Sequence, residues 1–434
     1  MRAIGIRRED KDPWEARTPL VPDDVAALVQ AGAAAFTLQP SPLRIFSDEE
    51  YRRAGARVDE DLGACDVVLA VKEIPAEFFR PGGTYAFFSH TIKGQPANMP
   101  TLRRLMALGC QLLDYERITD DQGRRLIFFG RFAGLAGALD SLWALGRRLA
   151  WEQITPNPFL ALEQTYRYPS LDAALEAVRN VGARIAADGL PPELRPFVIG
   201  VSGYGNVARG AQEVVDALGA VEIAPEQLDD LFMPCGHPGT VHKVVFAEQH
   251  TVARRDGGAF AFDEYVRHPE LYNSTFEPRL TQLTVLLNCI FWDTPYPRLV
   301  TRAAARRLFG AAARPRLRVI GDVSCDIEGS IELTVKETHI DDPVYVYDPM
   351  TNDVLDGVAG RGPVILAVAN LPCELSREAS VAFSAALTPF VPALATTDFS
   401  APYTQLSLPA ELQRALILHH GELTPAYEYL RAFL

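Results

Sequence analysis

Three residues in the first third of the chain have the chemistry of a proton shuttle. Lys72 lies in AVKEIP, His90 in FSHTIKGQ and Glu116 in DYERI, each after a separate apolar run. In an open α/β sheet the carboxyl ends of the strands line one crevice, so distant runs deliver their last residues to one place. A lysine, a histidine and a carboxylate together suit acid–base work near neutral pH, because burial and neighbours bring lysine and histidine pKa values into range. Arg17 (EARTPL), Glu73 and Lys93 lie in the same runs or loops and are read as substrate-binding. Arg17 and Lys93 suit carboxylates, the arginine in bidentate fashion. Taken singly, each of the six also fits a solvated or salt-bridged polar residue. Lysine is scarce: Lys11, Lys72, Lys93, Lys243 and Lys336 stand among 42 basic residues. Such sparing use fits either chance or a need for a compact, deprotonatable amine at those positions.

A second constellation binds rather than reacts. In FVIGVSGYGNVARGAQEVVDALG, Gly203, Gly205 and Ala208 form G-x-G-x-x-A after an apolar run and before a helical pattern. The first glycine permits the tight turn and the second lets the backbone approach a pyrophosphate. Ala208 gives close helix–strand packing, and the helix N-terminus attracts phosphates. Tyr204, Asn206 and Val207 complete the turn and open the helix. The acid for an adenosine ribose is less plain. Glu222 lies about 20 residues on, but in mid-strand, and the motif alone does not choose NAD over NADP.

Cys235, His237, His242 and His250 are spaced C-x-H-x4-H-x7-H, which matches no usual zinc pattern. They are read as ordinary loop and strand-flank residues, and no metal is expected. His419 and His420 are read as surface residues. The chain has no G-x-S-x-G, H-E-x-x-H or Walker loop, which argues against the corresponding hydrolases and nucleotide-triphosphate enzymes.

The elements that must position these residues follow from apolar periodicity. Strand patterns at 3–9, 34–40, 66–75, 84–92 and 111–118 alternate with helical patterns at 21–32, 47–56 and 99–109. A second α/β run starts at Arg195, with apolar strands at 196–203, 220–224, 242–248, 283–292, 318–325 and 363–370. Such runs fit strands buried on both faces of parallel sheets. The pattern predicts an α/β protein with two Rossmann-like domains and doubly wound, mostly parallel sheets. Residues 1–140 form the first segment of a catalytic domain, 141–190 are connecting helices, and 191–375 form the dinucleotide domain. Residues 376–434 are read as helices, including 408–421, returning to the catalytic domain.

The bulk properties narrow the class. A chain of 434 residues exceeds one core. It is 48% hydrophobic and 22% charged, an ordinary globular mixture. A net charge of −13 repels nucleic acid and anionic membranes, so neither is expected as a partner. No window is read as approaching the ~20 apolar residues of a membrane span. The N-terminus lacks a signal-peptide pattern, and the six scattered cysteines read as reduced thiols of a cytoplasmic protein. Small molecules are the expected partners, and a homo-oligomer is left open.

The blocks IGIRREDKDPWEARTPLVPDDV, FFSHTIKGQPANMPTL, LLDYERITDDQGRRLIFFGRFAGLAG, VSGYGNVARGAQEV, LLNCIFWDTPYPRLVT, GDVSCDIEGSIELT and NLPCELSREAS are similar to the lysine–2-oxoglutarate reductase (saccharopine-forming) family. That domain is the N-terminal half of the bifunctional aminoadipic semialdehyde synthases. A more distant resemblance is to fungal saccharopine dehydrogenases and alanine dehydrogenases. The resemblance implies an alanine dehydrogenase-like fold with a discontinuous catalytic domain. It implies condensation of the lysine ε-amine with 2-oxoglutarate and reduction of the imine to saccharopine. By similarity Lys72 and His90 are the acid–base pair, with Glu116 tuning them, and Arg17 and Lys93 hold carboxylates. Asn370 joins the Gly203–Ala208 loop as cofactor-binding. The resemblance tips the cofactor toward NADP(H), with NAD(H) left open. Two positions depart: Ala369 stands where the family commonly has Asp, and Ser376 where it has Pro. The first change alters charge beside the nicotinamide. The alternatives are an opine- or alanine-type dehydrogenase acting on another amine, and a non-catalytic NADP(H)-binding homologue.

Overall fold

Apolar runs too short to hide as isolated helices pair into sheets whose two faces are both covered. The computed structural model describes residues 3–232, 239–312 and 314–434. Cys235 and His237 lie outside them. The chain divides into two compact units, residues 1–129 with 376–434, and residues 130–375.

The first unit contains β1 (Ala3–Ile6), α1 (Pro22–Gln30), β2 (Ala35–Leu38), α2 (Asp48–Arg53), β3 (Arg57–Val58), β4 (Val67–Leu69), β5 (Thr84–Phe87), α3 (Met99–Ala107) and β6 (Gln111–Asp114). The strands run parallel in the order β3-β2-β1-β4-β5-β6. Ser47 closes a capping box with Glu50 at the start of α2, as S-x-x-E dictates.

The tail completes this unit, but not as helices alone. Only Ala410–Ala415 of the 408–421 stretch is helical. Leu416–His419 is a fully buried strand antiparallel to β6, and Glu422–Leu423 pairs antiparallel with it. A four-residue apolar run cannot be told from a helix by periodicity, and here the free edge of β6 decides. His419 is consequently buried, its ring Nε2 bonded to the carbonyl of Ala401, rather than at the surface.

A second correction concerns the run Leu371–Thr396, which is helical and, by length and composition, apolar enough to span a membrane. Its residues Phe383, Leu387, Val391 and Leu394 are buried in the core of the first unit. Ser380 Oγ and Ser384 Oγ accept the backbone N–H groups of Thr18 and Val21 at 3.0 and 2.9 Å. Its apolar face serves a protein core.

The second unit opens with α4 (Gly130–Trp151) and α5 (Leu171–Asp188), then β7 (Phe197–Ser202), α6 (Asn206–Ala217), β8 (Val221–Ile223) and β9 (Val241–Phe246). A hairpin of β10 (Val252–Arg254) and β11 (Tyr272–Ser274) follows. The remaining strands are β12 (Val285–Asn288), β13 (Val319–Asp322), β14 (Val344–Tyr347), β15 (Val354–Asp356) and β16 (Val364–Leu366). The sheet order is β15-β14-β16-β13-β12-β7-β9-β8, with β14 and β15 antiparallel.

The boundaries differ from expectation. The first segment ends at Phe129, and α4 and α5 belong to the second unit rather than to a separate connection. The reason is packing. A Cβ on Gly134 of α4 would lie 1.9 Å from the carbonyl oxygen of Val207, and one on Gly210 of α6 would lie 2.0 Å from that of Arg131. The two helix backbones approach as only glycine allows. A Cβ on Gly182 of α5 would lie 2.3 Å from the carbonyl oxygen of Leu218 at the end of α6.

Candidate active site

β1 and β4 are neighbours, so the turns after them meet at the carboxyl edge of the sheet. Glu9 follows β1 and Lys72 follows β4. The Glu9 carboxylate accepts the backbone N–H groups of Val71 and Lys72 at 2.6 and 3.0 Å. These bonds fix the backbone that carries Lys72 and Glu73. Glu9 is buried. Desolvation, with Glu15 nearby, pushes its pKa up to about 7 against the two N–H bonds that favour the charged form.

His90 follows β5, the next strand over. Its Nδ1 lies 2.8 Å from Glu73 Oε1, while Glu73 Oε2 accepts from Lys11 Nζ at 2.7 Å. Burial opposes ionisation of Glu73. The hydrogen bonds from His90 and Lys11 outweigh it and hold the carboxyl down at about 2. A carboxylate on Nδ1 makes that nitrogen the N–H donor and leaves Nε2 for chemistry. His90 has φ +52°, a left-handed conformation uncommon outside glycine. The Asn98 amide donates to its carbonyl at 2.9 Å. Ser89, just before it, donates its backbone N–H at 3.1 Å and its hydroxyl to Asp114 at the end of β6. Burial lifts Asp114 to about 6 despite those bonds.

The six residues read from the sequence therefore have different fates. Lys72 and His90 stand at the ends of adjacent strands. Lys72 Nζ has no ion-pair partner among the described residues. Glu73, read as substrate-binding, instead holds His90. Glu116 is nearly buried but pairs with Arg125 at 2.9 Å, so the carboxylate that touches the histidine is Glu73. Arg17 directs Nε and Nη2 at Glu15 at 2.7 and 2.6 Å, is 3% exposed, and lies over the Phe129 ring at 4.1 Å. That fork is already occupied by a carboxylate. Lys93 is exposed in the loop before α3. Sequence reasoning missed Glu9, Lys11 and Asp114. Glu9 and Asp114 do sit at strand ends, a signal that was available.

In the second unit the G-x-G-x-x-A turn joins β7 to α6. Gly203 has φ +93°, and a Cβ there would lie 3.1 Å from Ile290 Cγ2 and 3.2 Å from the Cys289 carbonyl. A Cβ on Gly205 would meet nothing within 4 Å, so the backbone faces open space there, as a pyrophosphate requires. Gly205 caps α6, whose first residues are Asn206, Val207 and the buried Ala208. Tyr204 is exposed, and its hydroxyl lies 3.4 Å from Glu248 Oε1. Asn370 sits in the turn after β16, its carbonyl accepting from Cys373 N–H at 2.8 Å. Glu222 is tied to Lys243 at 2.8 Å, and Lys243 also to Asp216 at 2.7 Å. A cavity of about 330 Å³ opens beside the glycine turn, lined by Glu248, Phe262, Tyr265, Phe291 and Trp292 among others. No metal-binding cluster occurs among the described residues.

Below the turn a buried polar network joins three strand ends. Ser202 Oγ donates to Asn288 Oδ1 at 2.9 Å, and the Asn288 amide donates to Asp322 Oδ1 at 2.8 Å and Ser330 Oγ at 2.7 Å. Thr334 donates to the other Asp322 oxygen at 2.6 Å. Every partner is supplied from within, which makes the base of the turn rigid.

Residues 5–136 match the family described as alanine dehydrogenase/PNT, N-terminal domain, and residues 294–426 match its C-terminal domain. Together they span more than half of the chain. The chain belongs to the alanine dehydrogenase/PNT family. A solved L-alanine dehydrogenase superposes with a TM-score of 0.63 at 19% identity, covering 99% of each chain, which establishes the fold. An alpha-aminoadipic semialdehyde synthase of Arabidopsis thaliana is 38% identical over 98% of this chain and 41% of its own length. A saccharopine dehydrogenase [NAD(+), L-lysine-forming] of Neurospora crassa is 28% identical over 89% of both chains. This chain thus spans less than half of the plant relative.

Proposed function

We propose that this protein is a nicotinamide-dependent oxidoreductase that condenses L-lysine with 2-oxoglutarate and reduces the imine to saccharopine. The observation that carries the reading is the chain Lys11–Glu73–His90 beside Lys72, which has no ion-pair partner among the described residues. It is a base held by a carboxylate next to a compact amine. The names of the plant and fungal relatives point the same way.

Residue roles follow from chemistry. The neutral lysine ε-amine attacks the keto carbon of 2-oxoglutarate, and a C–N bond forms as the keto oxygen takes a proton. Loss of water needs a second proton on that oxygen and removal of one from nitrogen. His90 Nε2 and Lys72 Nζ, at adjacent strand ends, are the groups to exchange them. Glu73 keeps the imidazole oriented and stabilises it when protonated, as the third group of a triad does. A dihydronicotinamide held at the glycine turn would supply the hydride for the imine carbon. The open backbone face at Gly205 and the tight turn at Gly203 would hold its pyrophosphate.

Loss of reduced-nicotinamide absorbance tests the reading. Oxidation that needs both L-lysine and 2-oxoglutarate, with saccharopine found by mass, is expected. Oxidation with neither pair member required would refute it. A second reading, another amine partner, is favoured by Ala369, which is exposed in the turn after β16 and removes the carboxylate the family places there. A panel of amino acids with 2-oxoglutarate, and ammonia with pyruvate, separates the two.

A further inference from the structure

In the second unit the strand that follows α6 is not the strand beside β7. β8 is the outermost strand, and β9 pairs with both β8 and β7. The sequence-adjacent acid, Glu222, therefore sits on the sheet edge, bound to Lys243. The strand whose carboxyl end lies against the glycine turn is β9: Ser202 is level with Phe246, and Gly203 N–H donates to the Phe246 carbonyl at 2.8 Å. Two residues beyond Phe246 comes Glu248.

In dinucleotide folds an acid at that place accepts from the adenosine ribose hydroxyls. Glu248 is built for it. Ala247–His250 form a single turn, in which His250 N–H donates to the Ala247 carbonyl and Thr251 N–H to that of Glu248, each at 2.9 Å. His250 Nδ1 accepts the Ala247 N–H at 3.0 Å. The turn aims the half-buried carboxylate into the cavity that Gly203, Tyr204 and Gly205 also line. Tyr204 reaches Oε1 at 3.4 Å, leaving Oε2 to a ligand. The other charged residue on that lining is Arg298. Its Nε donates to the Gly329 carbonyl and its Nη2 to that of Glu328, each at 3.0 Å, and its guanidinium lies over Trp292. It also pairs with Glu332 at 3.5 Å, so the one cation among the described lining residues is already committed before a 2′-phosphate could use it. A carboxylate in its place repels one, and discrimination by an unpaired like charge is strong.

We infer that Glu248 reads the ribose diol and makes this protein select NAD(H) over NADP(H). This rests on the dinucleotide reading of the Gly203 turn and reverses the preference that the resemblance implies.

Direct binding of NADH and of NADPH to the full chain, followed by nicotinamide fluorescence without substrates, tests it. NADH is expected to bind at least about tenfold more tightly. Glu248→Gln should cut NADH affinity about tenfold, the scale of one charge-assisted hydrogen bond, and leave NADPH affinity equal or higher. Glu248→Asp should keep the preference for NADH. Equal or tighter NADPH binding by the unaltered protein overturns the inference while the dinucleotide site stands, as does an equal loss of both cofactors in Glu248→Gln. Binding of neither cofactor removes the dinucleotide reading itself, and this inference with it.

Discussion

The two units share a sheet plan and differ in what they place at its centre. Each has six parallel strands extended by two antiparallel ones at the edge. In each, the first strand sits between a neighbour from its own half and the first strand of the second half. That is the switch point where α/β sheets bind ligands. In the first unit the point lies between β1 and β4, and its turns carry Glu9, Lys72 and Glu73. In the second it lies between β7 and β12, and its turns carry Gly203, Cys289 and Ile290. One sheet presents ionisable side chains there. The other presents bare backbone. On the proposed function, the same topology supplies a proton-transfer edge and a binding edge. They also differ in strand order, since the neighbour of β1 is the next strand in sequence while that of β7 is not. The outcome is that Glu248, rather than Glu222, stands at the glycine turn.

Substitutions at the two edges should separate the two roles. Lys72→Met is expected to lower turnover by about 10³ or more, within the range of acid–base catalysis, with dinucleotide affinity unchanged. Steady-state rates and fluorescence titration check both halves, and retained turnover would remove Lys72 from the chemistry. Gly134→Val should destabilise the second unit by about 3 kcal/mol in urea unfolding, the upper range for overpacking, because its Cβ enters the Val207 carbonyl. Glu73→Gln should lower kcat/KM by about 10². Its loss should shift the acid limb of the pH–rate profile, because the carboxylate, held at about 2, is charged throughout the working range. Gly205→Val should weaken dinucleotide binding by at least about tenfold while costing about 1 kcal/mol or less as a changed helix cap. A large stability loss there would mean that the open space has another use.

A pH-dependent effect on stability concerns Glu9. Its folded pKa of about 7 lies above that of an unfolded glutamate. Its contribution to stability is therefore full below about pH 4.3 and is lost as pH rises through about 7. Glu9→Gln should flatten that slope by about 2–3 kcal/mol between pH 5 and pH 8 in urea unfolding. An unchanged slope would assign the titration elsewhere.

Much of this was legible in the residues. Strand ends carrying Lys72 and His90, and the glycine turn after an apolar run, depend on local pattern, and local pattern is what a sequence displays. What escaped notice depends on pairing. The run Leu416–His419 reads as helix until the open edge of β6 claims it. Glu116 and Glu73 are indistinguishable as carboxylates at strand ends, and only the turn geometry puts Glu73 on His90 and Glu116 on Arg125. Arg17 reads as a free guanidinium although its partner, Glu15, is two residues away. The role of α4 was hidden for a different reason. Its small residues look like a spacer, whereas Gly134 and Gly210 meet as a close backbone contact between helices.

The proposed condensation forms a C–N bond between the lysine side chain and the 2-oxo acid. Its most direct test is a reaction with ε-¹⁵N-labelled L-lysine, 2-oxoglutarate and reduced cofactor, with the product read by mass spectrometry. A single product retaining the label is expected, with the mass of both substrates less one oxygen atom. Cofactor oxidation that leaves the label in free lysine would contradict it and place the chemistry on another amine.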